Sequence, residues 1–251
     1  MPYGMYLSAE GAQAQVTRME VIANNLANIN TPGFKRDVAS FQARLAEAIE
    51  QGDDAVGTGT VNQVGGGTMI HDVRTDFSPG TLQHTNIPTD VAIAGQGFFE
   101  VQAAEGEVFL TRAGNFTLNS LGELVTQMGR HHVLDAGGRP ITILPDQPWH
   151  ISSDGYVMQG GAGTPISVVT PQSAEELTKV GENLFRPGEQ VTQAPLGARE
   201  VRQGYVEMSS VSPTREMMAL IETSRMFEAN TKLIQHQDEM LDALISRVLQ
   251  G

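Results

Sequence analysis

The feature that most constrains the fold is a long uninterrupted segment near the C-terminal end of the sequence. From Pro213 to about Val248 there is no glycine and no further proline. Apolar residues recur there at spacings of three and four, which is typical of an amphipathic helix. Ser212 predicts where the helix starts, because serine caps helix N-termini and proline is favoured at the first helical position. At 1.5 Å per residue the helix would be about 50 Å long, too long for the interior of a compact domain of this size.

The apolar residues of this helix form a stripe that polar residues interrupt. The interruptions are Ser224, Thr231 and Asp238. The stripe consists of Met217, Leu220, Phe227, Ile234, Leu241, Ile245 and Val248, with Ile221 and Leu244 beside it.

The N-terminal end shows a second helical pattern, over residues 5 to 29, with no proline and no glycine after Gly11. Its stripe is spaced four and three residues apart and comprises Ala12, Val16, Met19, Ala23 and Leu26, widened by Ile22 and Ile29. The helix is expected to end near "NTPGF". The residue before Pro32 avoids the helical region, and Gly33 can adopt a positive φ.

Four asparagines, Asn24, Asn25, Asn28 and Asn30, fall at the end of this first helix. Asparagine is unfavourable inside helices, because its short amide competes for backbone hydrogen bonds. The amides therefore end the helix, bind something, or do both. Asn30, followed by "TPG", fits a helix end and chain reversal.

The middle of the chain, from Asp90 to about Arg199, predicts a small antiparallel sheet or barrel. Short β-rich runs such as "GFFEV", "VFLTR" and "PITIL" alternate with turn signals such as Gly137-Gly138. "AGQGFF" lacks the third glycine of a dinucleotide loop and indicates a tight turn before a strand. The connector before this region carries a candidate short helix around Phe41 to Ile49 and a glycine-rich link at 57–68.

The predicted fold class is therefore α+β. We divide the chain into an N-terminal helix and turn motif (1–36), a connector (37–85), a β-rich domain (86–203) and a C-terminal segment (204–251) that contains the long helix. Neither helical stripe has an obvious place inside the β-rich domain. The two helices are therefore expected to pair as in a coiled coil, with more apolar stripe than two helices can bury.

Composition excludes several functional classes. Lys plus Arg total 16 against 29 Asp plus Glu, a formal charge of −13, which disfavours binding to nucleic acid. Cysteine is absent, which excludes disulfides and thiol chemistry. No apolar run reaches about 18 residues, so no membrane span is expected. The N-terminus lacks the basic and apolar regions of a cleavable secretory signal.

A search for catalytic or metal-binding patterns finds none, so no enzyme activity, cofactor or metal is predicted. No phosphate-binding loop, nucleophile elbow or calcium loop occurs. The histidines have no metal-ligand spacing and fit surface or turn positions; they are His71, His84, His131, His132, His150 and His236.

Several segments together resemble the bacterial flagellar rod and hook proteins. The segments are "NNLANINTPGFKR" (24–36), "PTDVAIAGQGFFEV" (88–101), "LTRAGNFTLNSLGELV" (110–125), "GENLF" (181–185) and "GYVEMSS…DEML" (204–241). Length favours the rod members with a single β domain. Ser210 and the acidic, glycine-rich connector at 47–67 depart from the family pattern, which leaves the choice between proximal and distal rod open.

The resemblance implies a structural subunit that is exported by the flagellar type III apparatus without a cleaved signal. Its terminal helices would line a hollow helical tube in the periplasmic part of the basal body, with the β domain outside. The tube would transmit torque and pass exported subunits. Its partners would be further copies of itself, adjacent rod and hook proteins and the export apparatus.

On this interpretation, buried asparagine amides would fix register between subunits. The residues expected to mediate assembly are Val16, Met19, Ile22, Ala23, Asn24, Asn25, Leu26, Asn28, Thr31, Gly33, Phe34, Met217, Leu220, Ile221, Phe227, Ile234, Leu241 and Leu244. Two alternatives remain, a cell-envelope enzyme acting on peptidoglycan and a monomeric secreted binding module. A monomeric module has no use for two exposed apolar stripes, and an enzyme needs a catalytic constellation that the sequence does not show.

Overall fold

The computed structural model describes residues 3–43, 67–144, 146–188, 191–195 and 199–249. The chain divides into two compact units that alternate along the sequence. The first, which we call the helical unit, comprises Met1–Ala27, Asp37–Asp76 and Ser212–Gly251. The second, the β-rich unit, comprises Asn28–Arg36 and Phe77–Val211.

The helical unit contains both predicted helices. Helix α1 spans Tyr3–Ala27 and helix α2 spans Pro213–Leu249. The backbone N–H of Glu216 donates to the Ser212 carbonyl at 3.0 Å, so Ser212 precedes the first turn as expected for a cap. Two strands, β1 (Arg36–Ala43) and β2 (Thr68–Asp76), pair with each other.

The short helix expected from Phe41 is wrong in its first residues, because Phe41–Ala43 belong to strand β1. Val38 and Phe41 are residues that favour strands. The Arg18 guanidinium lies 5.8 Å from the centre of the Phe41 ring, a tertiary contact that also fixes this segment. The rest of the candidate helix, and most of the glycine-rich link, lie outside the described residues.

Helices α1 and α2 pack against each other in antiparallel orientation. A Cβ on Gly4 would lie 2.8 Å from Gln237, and a Cβ on Gly11 would lie 3.2 Å from Asn230. Residue numbers thus rise along α1 as they fall along α2. The two terminal helices therefore contact each other, and the coiled-coil packing of their stripes stays a prediction.

The β-rich unit is built from short strands whose pairings are antiparallel. The strands are β3 (Leu82–His84), β4 (Val91–Ile93), β5 (Phe98–Gln102), β6 (Val108–Thr111), β7 (Phe116–Leu118), β8 (Leu124–Thr126), β9 (His132–Val133), β10 (Trp149–Ile151), β11 (Tyr156–Gln159), β12 (Ala162–Pro165), β13 (Val168–Pro171), β14 (Thr178–Gly181), β15 (Leu184–Arg186), β16 (Val191–Gln193), β17 (Val201–Gln203) and β18 (Tyr205–Glu207).

The largest sheet has the strand order β14-β15-β6-β5-β9-β8-β7, and β13 joins it through β5 and also pairs with β16. Strands β10, β11 and β12 form a separate sheet, and two pairs, β4 with β17 and β3 with β18, complete the unit. The described strands form open sheets, so the antiparallel prediction is confirmed and the barrel alternative is not.

Two apolar clusters form the core of this unit. The larger surrounds Phe99, Phe116 and Ile166, and the smaller surrounds Phe98 and Phe185. Turn residues close the strands where the sequence indicates them. Gly97, for example, has a φ of +122° directly before β5, as the tight-turn interpretation of "AGQGFF" requires.

Among the described residues, none of the helices combines the length and apolar character needed to cross a membrane.

Candidate functional site

The segment Asn28–Arg36, the C-terminal part of the sequence motif "NNLANINTPGFKR", belongs to the β-rich unit. The sequence placed it with the first helix. Helix α1 ends at Ala27, and the Thr31 hydroxyl then donates to the Asn28 side-chain oxygen at 3.2 Å. We call residues 28–36 the signature segment. Its contacts with the rest of the β-rich unit form the first part of the candidate site.

Gly33 allows the signature segment to approach the body of the unit closely. It is buried with a φ of +69°, and a Cβ there would lie 2.3 Å from the Ala113 backbone nitrogen. Its own N–H donates to the Glu207 carbonyl at 2.7 Å. Only glycine satisfies both the positive φ and the close backbone contact.

Phe34 follows Gly33 into the interior, with only 3% of its surface exposed. The Lys179 ammonium lies 4.1 Å from the centre of its ring, close enough for a cation–π contact. Lys179 also donates to the Lys35 carbonyl at 2.9 Å. The Phe34 carbonyl accepts from the Ser210 N–H at 3.1 Å, so this segment is held on two sides.

A buried ion cluster lies next to Phe34. The Lys35 ammonium is 2.6 Å from one carboxylate oxygen of Glu207, and the Arg112 guanidinium is 3.1 Å from the other. Lys35 and Glu207 are each 1% exposed and Arg112 is 6% exposed. Ion pairs removed from water in this way are costly to break, because the remaining charge stays buried without its partner.

Backbone groups complete the cluster. Lys35 donates to the Ser78 carbonyl at 2.9 Å, and the Gly80 N–H donates to Glu207 at 2.8 Å. Burial lowers the pKa of Arg112 from its ordinary value, and the neighbouring Glu207 carboxylate opposes that shift. Arg112 also donates to the carbonyls of Ile93 and Gly95.

The motif "GENLF" reaches the same segment through Asn183. Asn183 and the preceding Glu182 have positive φ values of 60° and 50°. The Asn183 amide donates to the Pro32 carbonyl at 3.0 Å. Asparagine tolerates this backbone conformation better than most residues, so the turn directs an amide at the signature segment.

The second part of the site is the helix pair, where Asn25 has a specific partner. Asn25 is buried, its amide donates to the Asp37 carbonyl at 2.8 Å, and its oxygen accepts from the Asp37 N–H at 2.9 Å. One side chain thus satisfies both backbone groups of a β1 residue, as a neighbouring strand would. The amide also lies 3.5 Å from Glu216 on α2.

Replacing Asn25 by alanine should destabilise the helical unit. The change removes both partners of the Asp37 backbone, and unsatisfied groups of this kind cost about 1–3 kcal/mol. We expect a loss of about 2 kcal/mol in the free energy of unfolding, measured by denaturant titration of the helical circular-dichroism signal. The matched control is Asn30→Ala, at an exposed position, and an equal loss in both variants would contradict this role for Asn25.

Part of the contact between the helices involves residues of α1 that lie beside its apolar stripe. Gly4, Gly11 and Asn25, which are multiples of seven residues apart, face α2. Each lies one residue before a seven-residue repeat that includes Ala12 and Leu26. The two glycines allow the helix backbones to approach closely at these positions.

On α2 the face toward the protein interior follows the predicted stripe in part. Leu220, Phe227, Ile234 and Leu241 are half-buried. Thr223 is fully buried, and its hydroxyl donates to the Ala219 carbonyl at 2.7 Å. A buried hydroxyl is tolerated because the helix itself supplies the acceptor.

A second apolar line on α2 is exposed. Met226, Leu233 and Met240, spaced seven residues apart, have 42%, 51% and 64% of their surfaces exposed. We call these three residues the outer stripe. The solvated flank of α2, in contrast, carries Glu228 and Gln235 at exposed positions.

The residues predicted to mediate assembly therefore divide into three groups. Those half-buried or buried in the helical unit are Val16, Met19, Ile22, Asn25, Leu26, Leu220, Phe227, Ile234 and Leu241. Exposed residues are Ala23, Asn24, Met217, Ile221 and Leu244. Those within the β-rich unit are Asn28, Thr31, Gly33 and Phe34, of which the last two are buried in their own chain.

Sequence reasoning missed Glu207, Arg112 and Asn183, although all three lie in segments that carried the family resemblance. The sequence did contain a feature that points to these residues. Charged residues inside otherwise apolar or turn-rich motifs, such as Lys35 in "GFKR" and Glu207 in "GYVEM", require partners once they are buried.

The adjacent histidines contact different residues. His131 lies 3.3 Å from Glu182, whereas His132 lies 3.4 Å from Glu123. Among the residues that the structure describes, no group of three or more potential ligands is placed to hold a metal ion.

Comparison with protein families places both parts of the site in one class, the axial proteins of the flagellar rod and hook. The family model "Flagella basal body rod protein" matches residues 5–35, which include most of the signature segment. The model "Flagellar hook protein FlgE/F/G D1 domain" matches residues 92–178. The model "Flagellar basal body rod FlgEFG protein C-terminal" matches residues 202–247, including Glu207 and most of α2.

Similar proteins cover the chain almost completely. The flagellar basal-body rod protein FlgG of Bacillus subtilis is 34% identical over 259 residues, spanning 96% of this chain and 97% of the relative. FlgF of Caulobacter vibrioides is 34% identical over 253 residues, spanning 99% and 98%. FlgG of Borreliella burgdorferi is 34% identical over 265 residues, spanning 96% and 97%. The chain belongs to the family of flagellar basal-body rod proteins.

Proposed function

We propose that this protein is a structural subunit of the bacterial flagellar rod, and that copies of it assemble through their terminal helices into a hollow helical tube. Family membership supports a structural role over the two alternatives, a peptidoglycan-acting enzyme and a secreted binding module. The observation that carries the assembly mode is that α2 has two apolar faces. One faces the interior of the helical unit, and the outer stripe is left for another molecule.

A contact that repeats without closing on itself produces a helical assembly. The outer stripe of one subunit would pack against the helices of its neighbours, and the seven-residue spacing on both helices suits coiled-coil packing. Methionine at two of the three positions allows this surface to adapt to neighbours that are not identical. Such neighbours would be further copies, other rod proteins and hook proteins.

The tube would stand in the basal body, transmit torque and pass exported subunits, and the subunit itself would be delivered by the flagellar export apparatus without a cleaved signal peptide. Relatives named FlgG and FlgF match this chain with the same identity of 34%. The position of the protein in the proximal or the distal part of the rod is therefore to be measured in isolated basal bodies.

The direct test is crosslinking in isolated hook–basal bodies. Because the chain has no cysteine, a single cysteine at Leu233 reports only on that site. We expect Leu233→Cys that carries a cysteine-attached photocrosslinker to form crosslinks to neighbouring subunits in basal bodies, and the partners identified by mass spectrometry give the position along the rod. Gln235→Cys, on the solvated flank of the same helix, is the matched control. Absence of this protein from purified rods would overturn the proposal.

In dilute monomer, we expect hydrogen exchange to be slow in the signature segment and fast at the end of α2. The signature segment is held by buried contacts of the β-rich unit, so its amides should be protected together with that unit. Helix α2 beyond Leu241 has exposed apolar residues at Leu244, Ile245 and Val248, and a helix without packing partners is marginal. We expect fast exchange there, measured by mass spectrometry, and slow exchange at Gly33 and Phe34.

The contrary pattern would have a clear meaning. Fast exchange at Gly33 and Phe34 would show that the signature segment docks only in the assembled rod. Slow exchange at the end of α2 in the monomer would show that this part of the helix is stable without neighbouring subunits.

A further inference from the structure

The segments by which the chain enters and leaves the β-rich unit all contact one carboxylate, that of Glu207. The chain passes between the two units after residues 27, 36, 76 and 211. The signature segment, which lies between the first two passages, reaches Glu207 through Lys35 at 2.6 Å. The segment after the third passage reaches it through the Gly80 N–H at 2.8 Å. Glu207 itself lies on the last segment, four residues before Val211.

Arg112 connects this meeting point to the body of the unit. It lies just after β6, a central strand of the largest sheet, and its guanidinium is 3.1 Å from Glu207. The Lys35 ammonium also donates to the Ser78 carbonyl at 2.9 Å. This bond links the signature segment directly to the segment that follows residue 76. We call Glu207, Lys35 and Arg112 the carboxylate hub.

We propose that the carboxylate hub is a positioning device, which fixes the connecting segments of the β-rich unit in one register on its body. The charges give the hub this capacity. Displacement of Lys35 or Glu207 would leave a charge buried without its partner, which is strongly unfavourable. Buried polar and ionic groups are known to select one register in this way, often without adding to net stability.

Other contacts act beside the hub, since the close approach of Gly33 to Ala113 and the bond from the Asn183 amide to the Pro32 carbonyl also favour one register. The bonds from Gly33 to the Glu207 carbonyl and from Ser210 to the Phe34 carbonyl are between backbone groups, which any residue could supply after a shift along the chain. The hub is specific because it needs a lysine, a glutamate and an arginine at single positions. This effect on register does not depend on the proposed function.

The absence of cysteine makes the test direct, because pairs of spin labels can be placed without background. One pair, Asn30→Cys with Thr117→Cys, reports on the signature segment against strand β7. A second, Thr81→Cys with Thr117→Cys, reports on the segment that follows residue 76. All three positions are exposed and lie in the β-rich unit. Distances are measured by pulsed electron paramagnetic resonance on the full-length protein.

The variants separate register from stability. In Lys35→Met the first label pair should lose its single narrow distance, while the second should keep it, because Glu207 still holds Gly80 and Arg112. In the triple variant Lys35→Met, Arg112→Met and Glu207→Leu, both pairs should broaden when measured below the thermal transition, which we expect to fall because backbone groups such as the Ser78 carbonyl and the Gly80 N–H lose their partners. Glu107→Gln, which removes the carboxylate from an exposed ion pair with Arg186, is the control and should change neither distance.

Unchanged narrow distances in a folded triple variant would overturn the proposal, since the remaining contacts would then be sufficient. If the triple variant does not fold, a narrow first distance in folded Lys35→Met would overturn it instead. These outcomes are independent of whether the protein forms rods. A chain absent from basal bodies would refute the proposed function and leave the distance result standing.

Discussion

A variant with Leu233→Asp is expected to fold normally as a monomer and to leave cells without complete rods and without motility. Leu233 is half-exposed on the outer stripe, so an aspartate there remains hydrated in the monomer and changes its stability little. In the assembled tube the same carboxylate would be removed from water without a partner. The penalty for one such ion is several kcal/mol, and every subunit of the tube carries it.

The matched control for this prediction is Gln235→Asp, which adds the same charge two residues further along α2 on the solvated flank. We expect rods and motility to be retained in this control. The measurements are swimming in soft agar, electron microscopy of basal bodies, and thermal unfolding of each purified monomer. Normal rods with Leu233→Asp would show that the outer stripe is not an interface between subunits.

Phe227→Asp separates the two faces of α2. Phe227 lies on the inner face and is half-buried, so the charge should weaken the helical unit in the monomer as well as prevent assembly. The β-rich unit, which has its own core, should keep its thermal transition in both variants. A loss of assembly with an intact helical unit therefore distinguishes the outer stripe from the inner one.

The two terminal helices could be predicted because their periodicity, cap and breaker residues all indicate the same boundaries. Three residues of α1 that face α2 could not be predicted. They are Gly4, Gly11 and Asn25, and apolar periodicity gives no signal at glycine or asparagine. Close backbone approach and a bond to one distant residue leave no hydrophobic signal.

The asparagines also show that a local sequence pattern does not reveal which residues are in contact. Their number indicated a special role, and the resemblance suggested bonds between subunits. The structure gives Asn25 a partner in its own chain, the backbone of Asp37, twelve residues away. Only the fold shows that β1 returns beside the end of α1. A local pattern therefore identified the unusual residue but not its partner.

In the β-rich unit, burial was easier to predict than strand pairing. The run "PITIL" alternates as a strand does, and Ile141 and Ile143 are indeed buried. The run nevertheless forms only isolated bridges, such as Glu123 with Thr142. Alternation places side chains in the core, whereas a continuous ladder also needs a neighbouring strand in register. The carboxylate hub was beyond prediction for a related reason, since Lys35 and Glu207 are 172 residues apart.

Replacing Gly33 by alanine is expected to destabilise the β-rich unit strongly. Two costs combine at this position. A residue with a Cβ at positive φ costs about 1–2 kcal/mol. In addition, the new Cβ would lie 2.3 Å from the Ala113 nitrogen, so backbone must move in a packed region, which typically costs a further 1–3 kcal/mol or so. We expect a loss of about 2–5 kcal/mol in the free energy of unfolding of the β-rich unit, measured by urea titration of its strand signal.

Gly106 provides the control that separates these two costs. It has a φ of +91°, but a Cβ there would meet no atom within 4 Å. Gly106→Ala should therefore lose only the conformational part, about 1–2 kcal/mol, and the difference between the two variants measures the contact of Gly33 with Ala113. Equal losses would mean that the signature segment moves away from Ala113 without cost. In that case the close docking of residues 28–36 does not contribute to the stability of the β-rich unit.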